Sequence, residues 1–108
     1  MSFLSALRNL FIESSHESIP EDAVLVDVRS PGEVSRGGIL GALNIPLAEI
    51  AKKSTHLLPE KEKPTVVFCA SGMRSASARR TLISLGYIKV INGGGISSLA
   101  KRIGGRIN

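Results

Sequence analysis

Pro64-Thr65-Val66-Val67-Phe68-Cys69-Ala70-Ser71-Gly72-Met73-Arg74-Ser75 is the stretch that decides how this chain folds. The β-branched run at 65–67, followed by Phe68, predicts a buried strand that Cys69 ends. Residues 70–75 read as a short loop, and residues 76–85 carry a helical pattern. A strand that passes through a small, glycine-containing turn into a helix aims several backbone N–H groups at one spot. The start of the helix adds positive potential there. The Cys69 sulfur is the group best placed to become an anion at that spot, and such a setting lowers a thiol's pKa.

Each loop residue has a reading. Gly72 allows a backbone angle that a Cβ resists. Ser71 and Ser75 can bond nearby amides, and Ser75 suits a helix N-cap. Arg74 brings a permanent positive charge within reach of the loop centre. A lone cysteine ending an apolar strand is also read as a small core hydrophobe. Its combination with Gly72, Arg74, Ser75 and the helix favours an active-site loop.

On either side, strands alternate with helices. Residues 23–28 form a near-continuous apolar run, which suits a parallel strand covered on both faces. Ser30 then reads as a helix cap with Pro31 in the first turn. Leu43, Asn44 and Ile45 read as a short strand closed by Pro46, and residues 47–53 as a short helix. In the helix at 75–85, Ala78, Leu82 and Leu85 share a face and Gly86 supplies the C-terminal turn. Residues 88–91 read as the last core strand. Gly93, Gly94 and Gly95 read as a tight turn that lets backbone approach the Cys69 loop, without the Lys and Ser/Thr of a phosphate-binding P-loop. A helix is expected from Ile96 to Arg102. This alternation predicts an α/β fold: a three-layer sandwich whose central, mostly parallel sheet of four to five strands has helices on both faces. In such folds ligands gather at the carboxyl ends of strands, where Asp27, Arg29 and Cys69 fall.

The motifs resemble those of the single-domain rhodaneses, the thiosulfate sulfurtransferases. Cys69-x-x-Gly72-x-Arg74-Ser75 is similar to that family's active-site loop. Leu25-Val26-Asp27-Val28-Arg29-x-x-x-Glu33 followed by Gly37-Gly38-Ile39-x-Gly41-Ala42-x-Asn44-Ile45-Pro46 is similar to its first block. Leu85-Gly86-Tyr87-x-x-Val90-x-x-x-Gly94-Gly95-Ile96 is similar to its closing strand and glycine turn. The family usually carries His at the place of Gly38, an aromatic residue at Val34 and a Trp near Leu99. The resemblance implies a sulfurtransferase that takes sulfane sulfur from a small anionic, thiosulfate-like donor. Cys69 would carry it as a persulfide and pass it to cyanide or a thiol. It implies Cys69 as nucleophile, and Ala70, Ser71, Gly72, Met73, Arg74 and Ser75 as the anion-binding loop. Asp27, Arg29 and Glu33 would support it, Asp27 by bonding loop amides and Arg29 by pairing with Glu33 four residues on. No cofactor or metal is expected.

Two other classes remain open. Phosphatases and arsenate reductases of related fold place five residues between Cys and Arg, against four here, and no Asp in or just beyond this loop could protonate a leaving group. A non-catalytic binding or regulatory module of the same fold is the other alternative.

At 108 residues, 43% hydrophobic and 21% charged, the chain has the size and composition of one globular domain rather than a disordered segment. One cysteine excludes an internal disulfide and a C-x-x-C pair. The net charge of +5 is uneven: residues 63–108 hold eight cations and no carboxylate, while residues 1–62 hold six cations and nine carboxylates. A positive field around Cys69 would draw small anions. With four aromatics and no dense basic run, nucleic-acid binding is not expected. Phe3, Leu4, Leu7, Leu10 and Phe11 fall at helical spacing. Residues 1–20 are therefore expected to form a helical extension that packs on the domain, too short to span a membrane. Residues 103–108 form a short basic tail. A single domain in the cytoplasm, with neither membrane insertion nor a nucleic-acid partner, is the expectation.

Overall fold

A computed structural model describes residues 18–104. The predicted helix in residues 1–20 and the basic tail therefore fall almost wholly outside the described residues. Four parallel strands form one sheet in the order β2-β1-β3-β4. They are β1 (Val24–Asp27), β2 (Leu43–Asn44), β3 (Thr65–Cys69) and β4 (Val90–Gly95). Parallel neighbours need crossover connections, and helices supply them. These are α1 (Pro31–Ser35), a 3-10 turn (Leu47–Glu49) leading into α2 (Ile50–Leu57), and α3 (Met73–Ser84). Helix α4 (Ile96–Ile103) follows β4.

The period-two alternation of strand side chains sorts the core into two layers. Val67 and Cys69 of β3 point to one face, with Val26, Val28, Ala78, Leu82 and Tyr87. Val66 and Phe68 point to the other, with Ile39, Ile91 and Leu99. All five residues of β3 are buried, as befits a central strand with helices on both sides. Leu99 is fully covered in the second layer against that strand's far face. The Tyr87 hydroxyl reaches across to the C-terminal carbonyls of α2, 2.6 Å from Leu58 O and 2.9 Å from Ser54 O. It thereby adds a side-chain donor at the helix end, where Ser54 O already accepts the Leu58 N–H.

Three local expectations are corrected. Helix α3 begins at Met73 with Gly72 as its N-cap at φ 99°, so Ser75 lies inside the first turn and is not the cap. The left-handed glycine lets the chain turn into the helix earlier, which frees the Ser75 side chain to point inward. The last strand runs from Val90 to Gly95 rather than over 88–91, and Ile88 lies outside it, 75% exposed. The three glycines therefore belong to the strand end. The register skips Gly93, pairing Val67 with Asn92 and Phe68 with Gly94, so the segment is bulged. A Cβ on Gly93 would lie 2.8 Å from Val66 Cγ1, which explains why a bare backbone occupies that position.

Candidate active site

β3 carries Cys69 to the carboxyl end of the sheet, one residue past Phe68, the register partner of Asp27 at the end of β1. The residue is fully buried, while Ala70, Ser71 and Met73 above it are exposed. The sulfur thus lies beneath one layer of loop. That layer is oriented to hold an anion: the Gly72 N–H donates to Cys69 Sγ at 3.0 Å. Gly72 can take its left-handed angle because it has no side chain, and a Cβ there would come within 3.3 Å of Gly94 Cα. The amides of residues 73–75 open α3 and lack intrahelical partners.

Burial pushes the Cys69 thiol up. Hydrogen bonds from the Ser75 amide and hydroxyl and from the Gly72 and Ser71 amides pull it down, and the downward pull prevails. A thiol acidified in the fold binds its proton less tightly there than in the unfolded chain. Ionisation therefore adds stability in full above the ordinary thiol range near about 8.5, and that gain fades as pH falls through the lowered folded value. The expected result is that alkylation of Cys69 by iodoacetamide follows a titration with its midpoint below about 8.5. A midpoint at or above the ordinary value would mean that burial dominates.

Ser75, fully buried, sits at the centre of a small network. Its Oγ lies 3.6 Å from Cys69 Sγ, 3.0 Å from Gly72 O and 2.7 Å from Asn92 Oδ1. One hydroxyl carries one proton, so these contacts compete. With a neutral thiol, S–H donates to Ser75 Oγ and Ser75 donates onward; with a thiolate, the hydroxyl turns to the sulfur. Asn92 Oδ1 also accepts the Gly94 N–H at 2.9 Å, which joins the bulged end of β4 to the Cys69 loop. Sequence reading missed Asn92. The available signal was a lone amide in an apolar strand, followed at once by glycines.

The supporting carboxylates and guanidiniums pair differently from the expectation. Arg29 does not bond Glu33. Its Nε and Nη2 bind Asp27, with the shortest contact 2.7 Å from Nη2 to Oδ2, and its own amide donates to Asp27 Oδ1 at 3.0 Å. Nη2 also donates to Gly37 O at 2.7 Å. Bonding to Asp27 raises the Arg29 pKa, against the opposing effect of burial. The reason is geometric: a four-residue pair needs both members on one helix, and Arg29 precedes α1. Asp27 does bond a backbone amide, that of Arg29, but none in the Cys69 loop. Gly38 lies alongside this pair; a Cβ there would sit 3.6 Å from Arg29 Nη2, an ordinary contact.

Glu33 instead joins two elements. It completes a capping box at the start of α1, where Ser30 Oγ accepts the Glu33 N–H and Glu33 Oε1 accepts the Ser30 N–H at 3.1 Å. The same carboxylate grips Arg74 from 41 residues away, Nη1 to Oε1 at 2.7 Å and Nη2 to Oε2 at 2.9 Å. Arg74, helped by the Ser30 amide, holds the Glu33 carboxyl down at about 2. The clamp is therefore fully ionised at neutral pH, and its stabilisation disappears only as pH falls towards that value.

His56 lies on α2, away from the loop in sequence and exposed, and His16 is outside the described residues. A cavity of about 740 Å³ lies at the other end of β1, lined by Ile19, Pro20, Leu25, Arg102 and Ile103 among others. Its lining contains neither cysteine nor histidine.

Comparison with known proteins places the chain in a family. The rhodanese-like domain family matches residues 13–100. The thiosulfate sulfurtransferase PspE of Escherichia coli is 35% identical over 75 residues, covering 69% of this chain and 72% of its own length. A sulfurtransferase of Allochromatium vinosum is 38% identical over 82 residues, covering 75% of each protein. The solved structure of a rhodanese with anions from E. coli aligns with a TM-score of 0.69 at 33% identity, over 72% of this chain and 92% of that one. With its four-stranded parallel sheet and its Cys69 loop at the carboxyl end, this chain belongs to the rhodanese-like domain family.

Proposed function

We propose that this protein is a sulfurtransferase that moves sulfane sulfur from a small anionic donor, thiosulfate or a close analogue, to cyanide or a thiol through a persulfide on Cys69. The observation that carries the reading is the Gly72 N–H bonded to the Cys69 sulfur at 3.0 Å within a loop that acidifies the thiol. The relatives named as sulfurtransferases support it.

In the first half-reaction the Cys69 thiolate attacks the outer sulfur of thiosulfate, and the S–S bond breaks with its electron pair leaving on sulfite. In the second, an acceptor nucleophile attacks the terminal sulfur of the persulfide and regenerates the thiolate. This is covalent catalysis in two displacements, with ping-pong kinetics. The persulfide's terminal sulfur is an anion, and the loop amides serve it as an oxyanion hole serves oxygen. Because Cys69 has no exposed surface, a donor reaches its sulfur only when the covering residues shift outward. With one cysteine in the chain, the persulfide meets no internal thiol and waits for an external one. A reducing compartment such as the cytoplasm suits that chemistry.

Incubation with thiosulfate followed by intact-protein mass spectrometry is expected to show one added sulfur atom, removed by cyanide with formation of thiocyanate. If no sulfur is loaded, the binding-module reading takes over. If only an aryl phosphate turns over, the protein is a phosphatase.

A further inference from the structure

Asn92 is the only polar side chain that β4 contributes, and it is the last residue before the register skips. Two neighbours fix the orientation of its amide. The Gly94 N–H can only donate, so the atom 2.9 Å from it is the oxygen, Oδ1. Nδ2 then faces Gly72 O, which can only accept, at 3.4 Å. Oδ1 also lies 2.7 Å from Ser75 Oγ. Two oxygens approach so closely with a proton between them; Oδ1 has none, so Ser75 supplies it. Gly72 O, the other oxygen within reach of Ser75, already accepts the Ala76 N–H at 3.1 Å and faces the Asn92 amide. The single hydroxyl proton of Ser75 is thus contested by Asn92 Oδ1 and by Cys69 Sγ at 3.6 Å, and Asn92 has the shorter contact.

We infer that Asn92 is a positioning residue for Cys69: it holds the Ser75 hydroxyl turned away from a neutral sulfur and yields it to a charged one. The inference rests on the sulfurtransferase reading above. In the first half-reaction the thiolate carries its charge on Sγ, and the hydroxyl points there. Once the persulfide forms, the charge resides on the outer sulfur, Sγ is neutral, and the proton swings back to Asn92. When the acceptor takes the outer sulfur, the electron pair of the S–S bond returns to Sγ and the hydroxyl turns to meet it. The Ser75 O–H bond is never broken, and no oxidant or reductant is consumed. Oδ1 keeps the Gly94 N–H throughout. The charged groups at this end of the sheet are Arg74, which interacts with Cys69 by charge and by a side-chain hydrogen bond while Glu33 holds it, and the Arg29–Asp27 pair. β4 adds no titratable side chain. Glu33, with its carboxyl at about 2, and the two guanidiniums, raised above their ordinary value, keep their charge wherever the thiol titrates.

The test is the pH profile of iodoacetamide alkylation in full-length Asn92→Ala beside the wild type. Without Oδ1 the hydroxyl loses its competing acceptor and turns to the thiolate more readily. The midpoint is expected to fall by about half a pH unit to one unit, the size of one neutral hydrogen bond. A merely structural role predicts the opposite sign: untying the Gly94 N–H and Gly72 O lets the loop amides draw away, and the midpoint rises. Asn92→Ala added to Ser75→Ala is expected to produce no fall, because the contested proton is gone. A more acidic thiol is a poorer nucleophile and a better leaving group. At a pH above both midpoints, loading from thiosulfate should therefore slow and removal by cyanide should quicken, each about two- to threefold, whereas a disordered site would slow both. A midpoint that stays or rises in Asn92→Ala overturns the inference, as does an equal fall in the Ser75→Ala background. If Asn92→Ala does not fold, heteronuclear NMR of the wild type decides. Its Asn92 side-chain amide resonances are expected to move with the Cys69 titration and to lose most of that movement in Ser75→Ala; undiminished movement overturns the inference. A wild type that loads no sulfur defeats the sulfurtransferase reading itself, whereas the alkylation midpoint and the NMR titration need no donor and defeat only the role of Asn92.

Discussion

Cys69→Ser will load no sulfur from any donor, and it will fold as the wild type does. The activity loss is absolute in kind, because the proposed intermediate is a sulfur–sulfur bond and an alcohol cannot form it. It is also large in rate terms. A serine hydroxyl stays protonated where the acidified thiol ionises, so even an oxygen-centred displacement would lack its nucleophile. A residual rate below about one thousandth of wild type corresponds to about 4 kcal/mol or more of lost transition-state stabilisation. The fold should survive because a hydroxyl at position 69 can still accept the Gly72 N–H and meet Ser75 Oγ, the partners that Sγ has now. A stability change on the order of 1 kcal/mol is expected, read from a urea titration beside the mass-spectrometric assay. If Cys69→Ser still acquires sulfur, the nucleophile has been misassigned. If it unfolds, the cysteine's packing role is larger than its small side chain suggests.

The parts of this site that the sequence made legible are the local ones. A β-branched run, a stop at Cys69 and a glycine before a helical stretch are short-range signals, and they placed the strand, loop and helix correctly to within a few residues. The first expectation to fail was the exact start of α3. Gly72 enters the left-handed region directly before Met73 and is itself an N-cap without a side chain to bond the first turn, so Ser75 looked like the cap and in fact faces the sulfur. The failed Arg29–Glu33 pair has a different origin. Its spacing is right for a helix, but the partners that won were fixed by tertiary structure. Asp27 shares the end of β1 with Arg29, and Arg74 meets Glu33 only because β1 and β3 lie side by side in the sheet. Sequence separation hides such pairs. Asn92 was hidden for the same reason, since its partners Ser75 and Gly72 are 17 and 20 residues distant.

Gly95→Ala is expected to damage the site more than any other single methyl added to it. Gly95 has φ −81° and ψ 146°, an extended backbone that alanine adopts readily, so the effect is steric and not torsional. A Cβ at this position would lie 2.7 Å from Ala70 O, 3.5 Å from Ala70 C and 3.7 Å from Ser71 Cα. All three are main-chain atoms, which cannot rotate away as a side chain would. Gly95 is also the register partner of Cys69 at the end of the β3–β4 ladder. Either the ladder opens at its last pair or residues 70–72 rise, and these residues include the Gly72 amide that holds Sγ. Overpacking of this kind costs about 1–3 kcal/mol, and a displacement approaching 1 Å costs on the order of a hundredfold in a reaction that depends on positioning. The expected result is sulfur loading reduced ten- to a hundredfold, with the alkylation midpoint of Cys69 moved up towards that of an ordinary thiol as the amides draw away. Gly38→Ala provides the contrast, because its added Cβ meets Arg29 Nη2 and Val34 Cγ1 at 3.6 Å without overlap; its stability should stay within about 0.5 kcal/mol of wild type. Wild-type loading by Gly95→Ala would show that the contact between the glycine strand end and the loop does not set the position of the amides around Cys69.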